Sequence, residues 1–246
     1  MALLKVLLLV LGVSVNSDVS RQKRIIGGRK CDDSERLYHV RLESSNGDER
    51  IRCGGSLVHP QWILTAARCY KSEPGWTNIA MLKVHPRTII RYHQVIRQAP
   101  EIYGEWHDIA LLKLEIPIRD VPLGQLPSCN NHLKVGDTVQ LAGEGAMITG
   151  PNNKRLTASA IPSHLQCVNM KVVAVSTFLQ TRGHIFLTEA PNKDICYADA
   201  GGAAMYNGKI YGVISFFGAD YACQQSTVIM DVCEYLEWIK QKTGLV

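Results

Sequence analysis

The sequence predicts an all-β protein, a barrel or a sandwich, with one helix at its C-terminal end. Short apolar segments rich in β-branched and aliphatic residues recur along the 246 residues, and clusters of glycine, proline and asparagine separate them. Many short strands at such spacing are typical of all-β domains. The length allows one large β domain or two small ones, and no linker separates independently folding parts.

Six segments carry the strand pattern. In chain order they are YHVRLES (38–44), GSLVHPQWILTAA (55–67), IALLKLE (109–115), DTVQLAG (137–143), CVNMKVVAV (167–175) and KIYGVISFF (209–217). The predicted helix follows them, because Val232, Tyr235, Leu236 and Ile239 recur at i, i+3, i+4 and i+7. Gly244 comes next and is a residue type that commonly ends helices.

Residues 1–17 have the features of a secretory signal peptide. Lys5 supplies a positive charge, residues 6–15 form a short apolar core, and Ser17 is small enough to precede a cleavage site. The apolar run is too short to span a bilayer, so we expect a secreted protein with no membrane attachment. A retained N-terminal anchor is the alternative interpretation.

The charge balance argues against nucleic acid as a partner. The formal net charge is +5, but residues 1–24 hold four basic residues and one acidic residue, so the rest of the chain carries only +2. A domain so close to neutral lacks the electrostatic footprint of a nucleic-acid-binding protein.

Four stretches, in this order and spacing, carry a resemblance to a known family. They are RIIGG (24–28), LTAARC (64–69), HDIALLKL (107–114) and CYADAGGA (196–203). Together with the frame CGGSLVHPQWILTAA and the final CEYLEWIKQ helix, they resemble the trypsin-like, chymotrypsin-fold serine proteases of family S1. The resemblance runs from residue 25 to the C-terminus. It implies one protease domain (25–246), built of two six-stranded antiparallel β-barrels with the active site in the cleft between them.

The resemblance assigns the three catalytic positions of the family. The family's catalytic histidine belongs to the motif L-T-A-A-H-C, and Arg68 occupies its position here. The catalytic aspartate belongs to D-I-A-L and is kept as Asp108. The catalytic serine belongs to G-D-S-G-G, and Ala200 occupies its position. Arginine keeps its proton, with a pKa above about 12, and cannot act as a general base. Alanine offers no nucleophile. The resemblance therefore implies a catalytically inactive serine protease homologue.

We expect Arg68 to pair with Asp108. The family's aspartate is largely buried, and a lone buried carboxylate is costly. A guanidinium within about 4 Å would replace the catalytic hydrogen bond with a structural ion pair. The alternative is that Arg68 points to solvent and Asp108 keeps only backbone donors.

The oxyanion hole of the family maps to Ala198 and Ala200. Glycine usually stands at the first of these positions because its backbone is permissive. We expect alanine there to turn one of the two N–H donors away.

The primary specificity pocket is predicted to be blocked. By resemblance, Asp194 lies at its base, as in enzymes that accept lysine or arginine. The segment Ser-Trp-Gly of the family reads Ser-Phe-Phe, so Phe216 and Phe217 stand at the mouth, and Thr227 replaces a glycine of the wall. A pocket that still binds a basic side chain is the alternative.

Residues 18–24 are expected to form a pro-segment. In the family, cleavage before Ile-Ile-Gly-Gly frees an α-amino group that pairs with the aspartate preceding the serine. The resemblance implies cleavage after Arg24, with Ile25 and Asp199 as that pair. The stretch RQKR (21–24) matches the R-x-K-R pattern of furin-like proprotein convertases. The alternative is that these basic residues only keep a short pro-segment soluble, with generic cleavage after Arg24.

A signal peptide leads to an oxidising compartment, so we expect the eight cysteines to form disulfides. The spacing of the cysteines leaves many pairings open. The resemblance implies four: Cys31–Cys167, Cys53–Cys69, Cys129–Cys233 and Cys196–Cys223.

A basic stretch, residues 82–97, stands where trypsins carry a calcium loop. It supplies almost none of the oxygen ligands that Ca²⁺ needs, so we expect no metal. Its cations include Lys83, Arg87, Arg91 and Arg97. They form either a solvated basic rim or an exosite for a heparin-like polyanion or an acidic protein.

Three function classes follow from these observations. The first is a secreted homologue that acts by binding an unidentified protein ligand, without a cofactor. The second is a trypsin-like endopeptidase, which the family fold and the pocket aspartate would suggest. The third is a zymogen-like regulator that binds a partner or inhibitor of an active protease.

Overall fold

Two antiparallel sheets of seven strands each build the protein in a computed structural model, which describes residues 25–86, 92–146, 149–156, 161–215 and 220–246. The predicted all-β class is therefore confirmed. The predicted signal peptide (1–17) and the expected pro-segment (18–24) lie outside the described residues.

The first sheet comes from the N-terminal half of the chain. Its strands are β2 (His39–Ser45), β3 (Arg50–His59), β4 (Trp62–Thr65), β5 (Thr77–Leu82), β6 (Tyr92–Val95), β7 (Glu101–Ile102) and β8 (Ala110–Lys113). They are arranged in the order β6-β5-β2-β3-β4-β8-β7. The sheet has seven strands rather than the predicted six because the two residues of β7 add a short antiparallel pairing along β8.

The second sheet closes into a barrel. Its strands are β1 (Arg29–Lys30), β9 (Thr138–Gly143), β10 (Gln166–Leu179), β11 (Gly183–Glu189), β12 (Ala203–Tyr206), β13 (Lys209–Ile214) and β14 (Thr227–Asp231). Six of them, β9 to β14, form a ring because β9 pairs with both β12 and β10. This ring is the predicted six-stranded barrel, and the two-residue strand β1 is added to it along β10.

The C-terminal helix α1 (Val232–Thr243) is confirmed at the predicted place. Asp231 caps its N-terminus by accepting a hydrogen bond from the N–H of Cys233 at 3.1 Å. Gly244 ends it with φ +76°, a conformation that glycine adopts without strain. The predicted apolar face, which includes Tyr235 and Ile239, is buried. Among the described residues, no helix has the length and apolar character to cross a membrane.

Three of the four expected disulfides are present. They are Cys31–Cys167, Cys53–Cys69 and Cys129–Cys233. The bridge Cys53–Cys69 closes the loop that carries Arg68. The bridge Cys129–Cys233 joins α1 to the segment that precedes β9.

The fourth expected disulfide, Cys196–Cys223, is not formed, and the prediction is wrong for this structure. Cys196 is buried whereas Cys223 is exposed. The side chain of Arg155 donates to the main-chain oxygen of Ile195 at 3.1 Å and of Tyr221 at 2.6 Å. A guanidinium, rather than a sulfur–sulfur bond, thus joins the two cysteine-bearing segments.

Candidate functional site

The candidate site lies between the two sheets, where a turn from each sheet meets the other. A 3-10 turn (Ala67–Cys69) follows β4, and a second one (Tyr197–Asp199) precedes β12. The N–H of Gly54 in β3 donates to the oxygen of Ala200 at 2.7 Å, which links the two sheets at this point. Gly201 has φ +78°, and a side chain there would collide with the oxygen of Gly54.

The expected pairing of Arg68 with Asp108 is confirmed. Arg68 Nε lies 2.7 Å from Asp108 Oδ2, and the N–H of Arg68 donates to Oδ1 at 3.1 Å. The carboxylate is 5% exposed, whereas the arginine side chain is about a quarter exposed. The ion pair is thus anchored at its buried end and open to solvent at the other.

Further groups surround this pair. Ser215 Oγ donates to Asp108 Oδ2 at 2.6 Å, so the carboxylate has three donors. The N–H of Asp108 donates to the oxygen of Arg182 at 2.9 Å. Burial, and then the nearby charge of Arg68, lower the pKa of the Arg182 guanidinium. The surroundings of Asp108 are therefore rich in cations, and the described side chains that bond its carboxylate, Arg68 and Ser215, are not bases.

The predicted serine and oxyanion positions lie in and beside the second turn. Ala200 is 3% exposed and directly follows the turn, with Ala198 inside it. The main-chain oxygen of Ala200 lies 3.7 Å from Cys69 Sγ in the first turn and accepts from the N–H of Gly54 in β3. The structure therefore brings positions 68, 108 and 200 to one region between the sheets, with an ion pair and a methyl group as the chemistry available there.

Asp199 is fully buried between two glycines. Its Oδ1 accepts from the N–H of Gly145 and its Oδ2 from the N–H of Cys196, each at 2.7 Å. A side chain on Gly143 or Gly145 would collide with the carboxylate, which explains glycine at both positions. Burial raises the pKa of Asp199 to about 7, against the lowering effect of the two backbone donors.

Ile25, the expected partner of that aspartate after cleavage, belongs to the fully buried core. The next residue is tied to the pocket segment, since the oxygen of Ile26 accepts from the N–H of Asp194 at 3.0 Å. Arg24, on the other side of the expected cleavage point, lies outside the described residues.

The predicted specificity pocket contains a residue that the sequence did not single out. Asp194 is 2% exposed and forms a salt bridge with Arg155, which is 5% exposed. Thr227, predicted in the pocket wall, donates to Asp194 Oδ1 at 3.3 Å. Phe216 and Phe217, predicted at the mouth, lie outside the described residues. A nearby cation stabilises a buried carboxylate, but nothing in the sequence selected this arginine among the 27 basic residues.

The basic stretch is partly neutralised. Lys83 lies 2.6 Å from Asp120 Oδ2, and Arg97 Nε lies 3.6 Å from Glu115 Oε1. The cations at 87 and 91 lie outside the described residues, so the exosite of Lys83, Arg87, Arg91 and Arg97 stays a prediction.

Among the described residues, one group of metal-ligating residue types lies close together, formed by Cys31, Glu35 and Cys167. The two sulfurs are bonded to each other, so neither is a thiolate that could bind a metal ion. The group therefore does not fit a metal site.

Comparison with known proteins adds to this geometry. The family model described as Trypsin matches residues 25–239. Trypsin of Sus scrofa is 31% identical over 234 residues, which cover 89% of this chain and 95% of the relative. Trypsin I-P38 of Gallus gallus is 31% identical over 251 residues, 96% of each chain. A solved structure described as "Structure of GrC" shares the fold, with a TM-score of 0.73 at 23% identity over 89% of this chain and 100% of the other.

Proposed function

Because the chain belongs to the trypsin family of serine proteases, we propose that it is a family member that acts by binding and does not hydrolyse peptides. The observation that carries the proposal is the ion pair of Arg68 and Asp108 beside Ala200. The activity of the family is that of a serine endopeptidase, and it requires a base and a nucleophile at these positions.

The chemistry at each position supports the proposal separately. A hydroxyl must attack the scissile carbonyl, and the methyl group of Ala200 cannot do so. An imidazole must accept the proton of that hydroxyl, and a guanidinium does not release its own proton at physiological pH. The contributions of triad residues are not additive, so either loss alone would remove most of the activity.

A fluorophosphonate probe tests this proposal, because it reacts with a nucleophilic serine. We expect the protein cut after Arg24 to stay unlabelled under conditions that label pig trypsin. The matched variants are Ala200→Ser and Arg68→His/Ala200→Ser, which restore the nucleophile alone or with its base. Labelling of the unmodified protein would overturn the proposal and would require another nucleophile.

The second candidate is a trypsin-like endopeptidase, and Asp194 is the observation that favours it. Its carboxylate has the burial expected of a pocket that selects basic side chains. Cleavage of a peptide substrate after lysine or arginine by the unmodified protein, at a rate above that of a protein carrying Asp108→Ala, would establish this candidate.

Secretion is also part of the proposal. The signal peptide (1–17), the pro-segment (18–24) and the three disulfides support export through an oxidising compartment. A furin-like convertase would cut after Arg24. N-terminal sequencing of protein recovered from the medium of expressing cells should give Ile25 as the first residue, and Arg24→Ala should prevent this.

The proposed partner is a protein ligand that binds outside the former substrate cleft, because an internal ion pair fills the pocket around Asp194. A heparin-like polyanion is the alternative partner, supported only by the basic stretch. Retention on a heparin column that is lost in Arg87→Ala/Arg91→Ala would favour the polyanion. If the unmodified protein and this variant elute from the heparin column at the same salt concentration, the basic stretch does not bind the polyanion. That result would favour a protein ligand that binds another surface.

A further inference from the structure

The protein's own groups bind both carboxylate oxygens of Asp194. Asp194 Oδ1 accepts from the N–H of Ile195 at 2.8 Å and from Thr227 Oγ1 at 3.3 Å. Its Oδ2 accepts from the N–H of Cys223 at 2.7 Å and from Arg155 Nη2. Each oxygen thus has two donors, and one of the four donors is a cation.

Three acceptors among the described residues bind the guanidinium of Arg155. Its Nε donates to the oxygen of Ile195 at 3.1 Å, its Nη1 to the oxygen of Tyr221 at 2.6 Å, and its Nη2 to Asp194. A carboxylate thus binds the tip of the side chain while main-chain oxygens bind the rest of the fork. A pocket holds the side chain of a bound arginine ligand with the same set of groups.

The main chain that carries this arginine also pairs with the pocket wall. The N–H of Arg155 donates to the oxygen of Asp220 at 2.7 Å. The N–H of Ala222 donates to the oxygen of Asn153 at 2.9 Å. An extended peptide is commonly recognised in this way, by main-chain bonds along the strand and a pocket for the side chain.

Half of the segment 149–156 is exposed to solvent. Arg155 is its one buried residue, and residues 151–154 are exposed. Asn152 and Asn153 have φ values of +55° and +61°, in the left-handed region that asparagine adopts more readily than most other residues. The buried side chain of Arg155, together with these main-chain bonds, therefore holds the segment against the protein.

We propose that Arg155 is an internal ligand that plugs the pocket around Asp194, so that this pocket accepts an external arginine-like cation only when the segment 149–156 is displaced. The plug and the cation compete for the same carboxylate oxygen and the same two main-chain oxygens. The inference does not depend on the loss of hydrolysis, because it concerns the occupancy of a pocket and not the chemistry at positions 68 and 200.

Binding of p-aminobenzamidine, a fluorescent arginine-like cation, tests the proposal without any readout of activity. Arg155→Ala should open the pocket and bind the probe saturably. The unmodified protein should bind it at least about tenfold more weakly, a difference of about 1.4 kcal/mol. Arg155→Ala/Asp194→Asn should lose the binding, because the carboxylate is gone. Lys154→Ala, at an exposed position of the same segment, should behave as the unmodified protein does.

Equal probe affinity in the unmodified protein and Arg155→Ala would overturn the proposal. Absence of saturable binding to folded Arg155→Ala would overturn it as well. An unpaired Asp194 could prevent this variant from folding on its own, and refolding with benzamidine in the buffer covers that case. Recovery of the cooperative thermal transition with benzamidine would support the plug, and failure to recover it would count against the plug.

Discussion

Arg41 and Glu144 form a buried ion pair that joins the two sheets. Arg41 Nε lies 2.5 Å from Glu144 Oε2, and Nη2 lies 2.6 Å from Oε1. Arg41 belongs to β2 of the first sheet, and Glu144 follows β9 of the second. Both side chains are less than one-tenth exposed. The pair is bidentate and lies close to the cleft, so it fixes how the two halves of the site meet.

Arg41→Ala should destabilise the protein by about 3–5 kcal/mol, because it leaves the carboxylate of Glu144 buried without a cation. Urea unfolding followed by fluorescence measures this difference. Arg50→Ala is the control, since Arg50 is mostly exposed and lies 3.9 Å from Glu43. It should cost no more than about 1 kcal/mol. Equal losses in the two variants would contradict the role assigned to the buried pair.

Arg68→Ala should destabilise the protein by about 1–3 kcal/mol, because the buried carboxylate of Asp108 loses its cationic donor and keeps Ser215 and one N–H. The free energy of unfolding from urea titration checks this value. Arg97→Ala removes an exposed arginine whose partner is also exposed, and should change stability by less than about 0.5 kcal/mol. A loss in Arg68→Ala as small as in Arg97→Ala would show that the ion pair is not structural.

Features that depend on local patterns were predictable from the sequence. The apolar spacing of Val232, Tyr235, Leu236 and Ile239 identified α1, and the short strand-like segment 137–143 identified β9. Strands with weaker patterns were missed. In β6 (Tyr92–Val95), for example, three of the four residues are exposed, so it has no apolar periodicity to detect.

Features that depend on distant partners were not predictable in the same way. The pairing of Arg68 with Asp108 was inferred only because the resemblance placed both residues at one site. The family resemblance did not place Arg155 beside Asp194, and the two residues are 39 positions apart along the chain. The pairing of Arg41 with Glu144 was missed for the same reason, since their contact depends on how the two sheets pack.

Native alkylation should distinguish the two unpaired cysteines. Cys223 is exposed and Cys196 is buried, so iodoacetamide should modify Cys223 first and Cys196 only after denaturation. Burial raises the pKa of both thiols, so reaction should be slow near neutral pH and faster as the pH rises. Intact mass of the alkylated, unreduced protein provides the count.

Two modified cysteines after denaturation without reductant would agree with the structure. Resistance to alkylation until a reductant is added would show that the Cys196–Cys223 bridge forms as the family resemblance implied. Cys223→Ser is the matched variant, because it should leave a single alkylation site that appears only on denaturation.

Asp199 should make the uncut precursor less stable as the pH rises. Burial raises its pKa from 3.8 to about 7 in the folded protein, so the folded state binds this proton more tightly than the unfolded state does. The stabilising contribution is therefore complete below the unfolded pKa of 3.8 and is lost as the pH rises through about 7. Within this window the slope from this group alone reaches about 1.4 kcal/mol per pH unit.

Asp199→Asn isolates this effect, because it keeps the shape of the side chain and removes the titration. The difference in free energy of unfolding between the precursor and Asp199→Asn should change by at least about 1 kcal/mol between about pH 5 and pH 7, with the precursor losing more stability.

Cleavage after Arg24 provides the second comparison, since an α-ammonium group on Ile25 would stabilise the ionised carboxylate of Asp199. Stability of the cut protein should then hold up to neutral pH. Parallel pH profiles of the precursor and Asp199→Asn would show that this carboxyl group does not control the pH dependence.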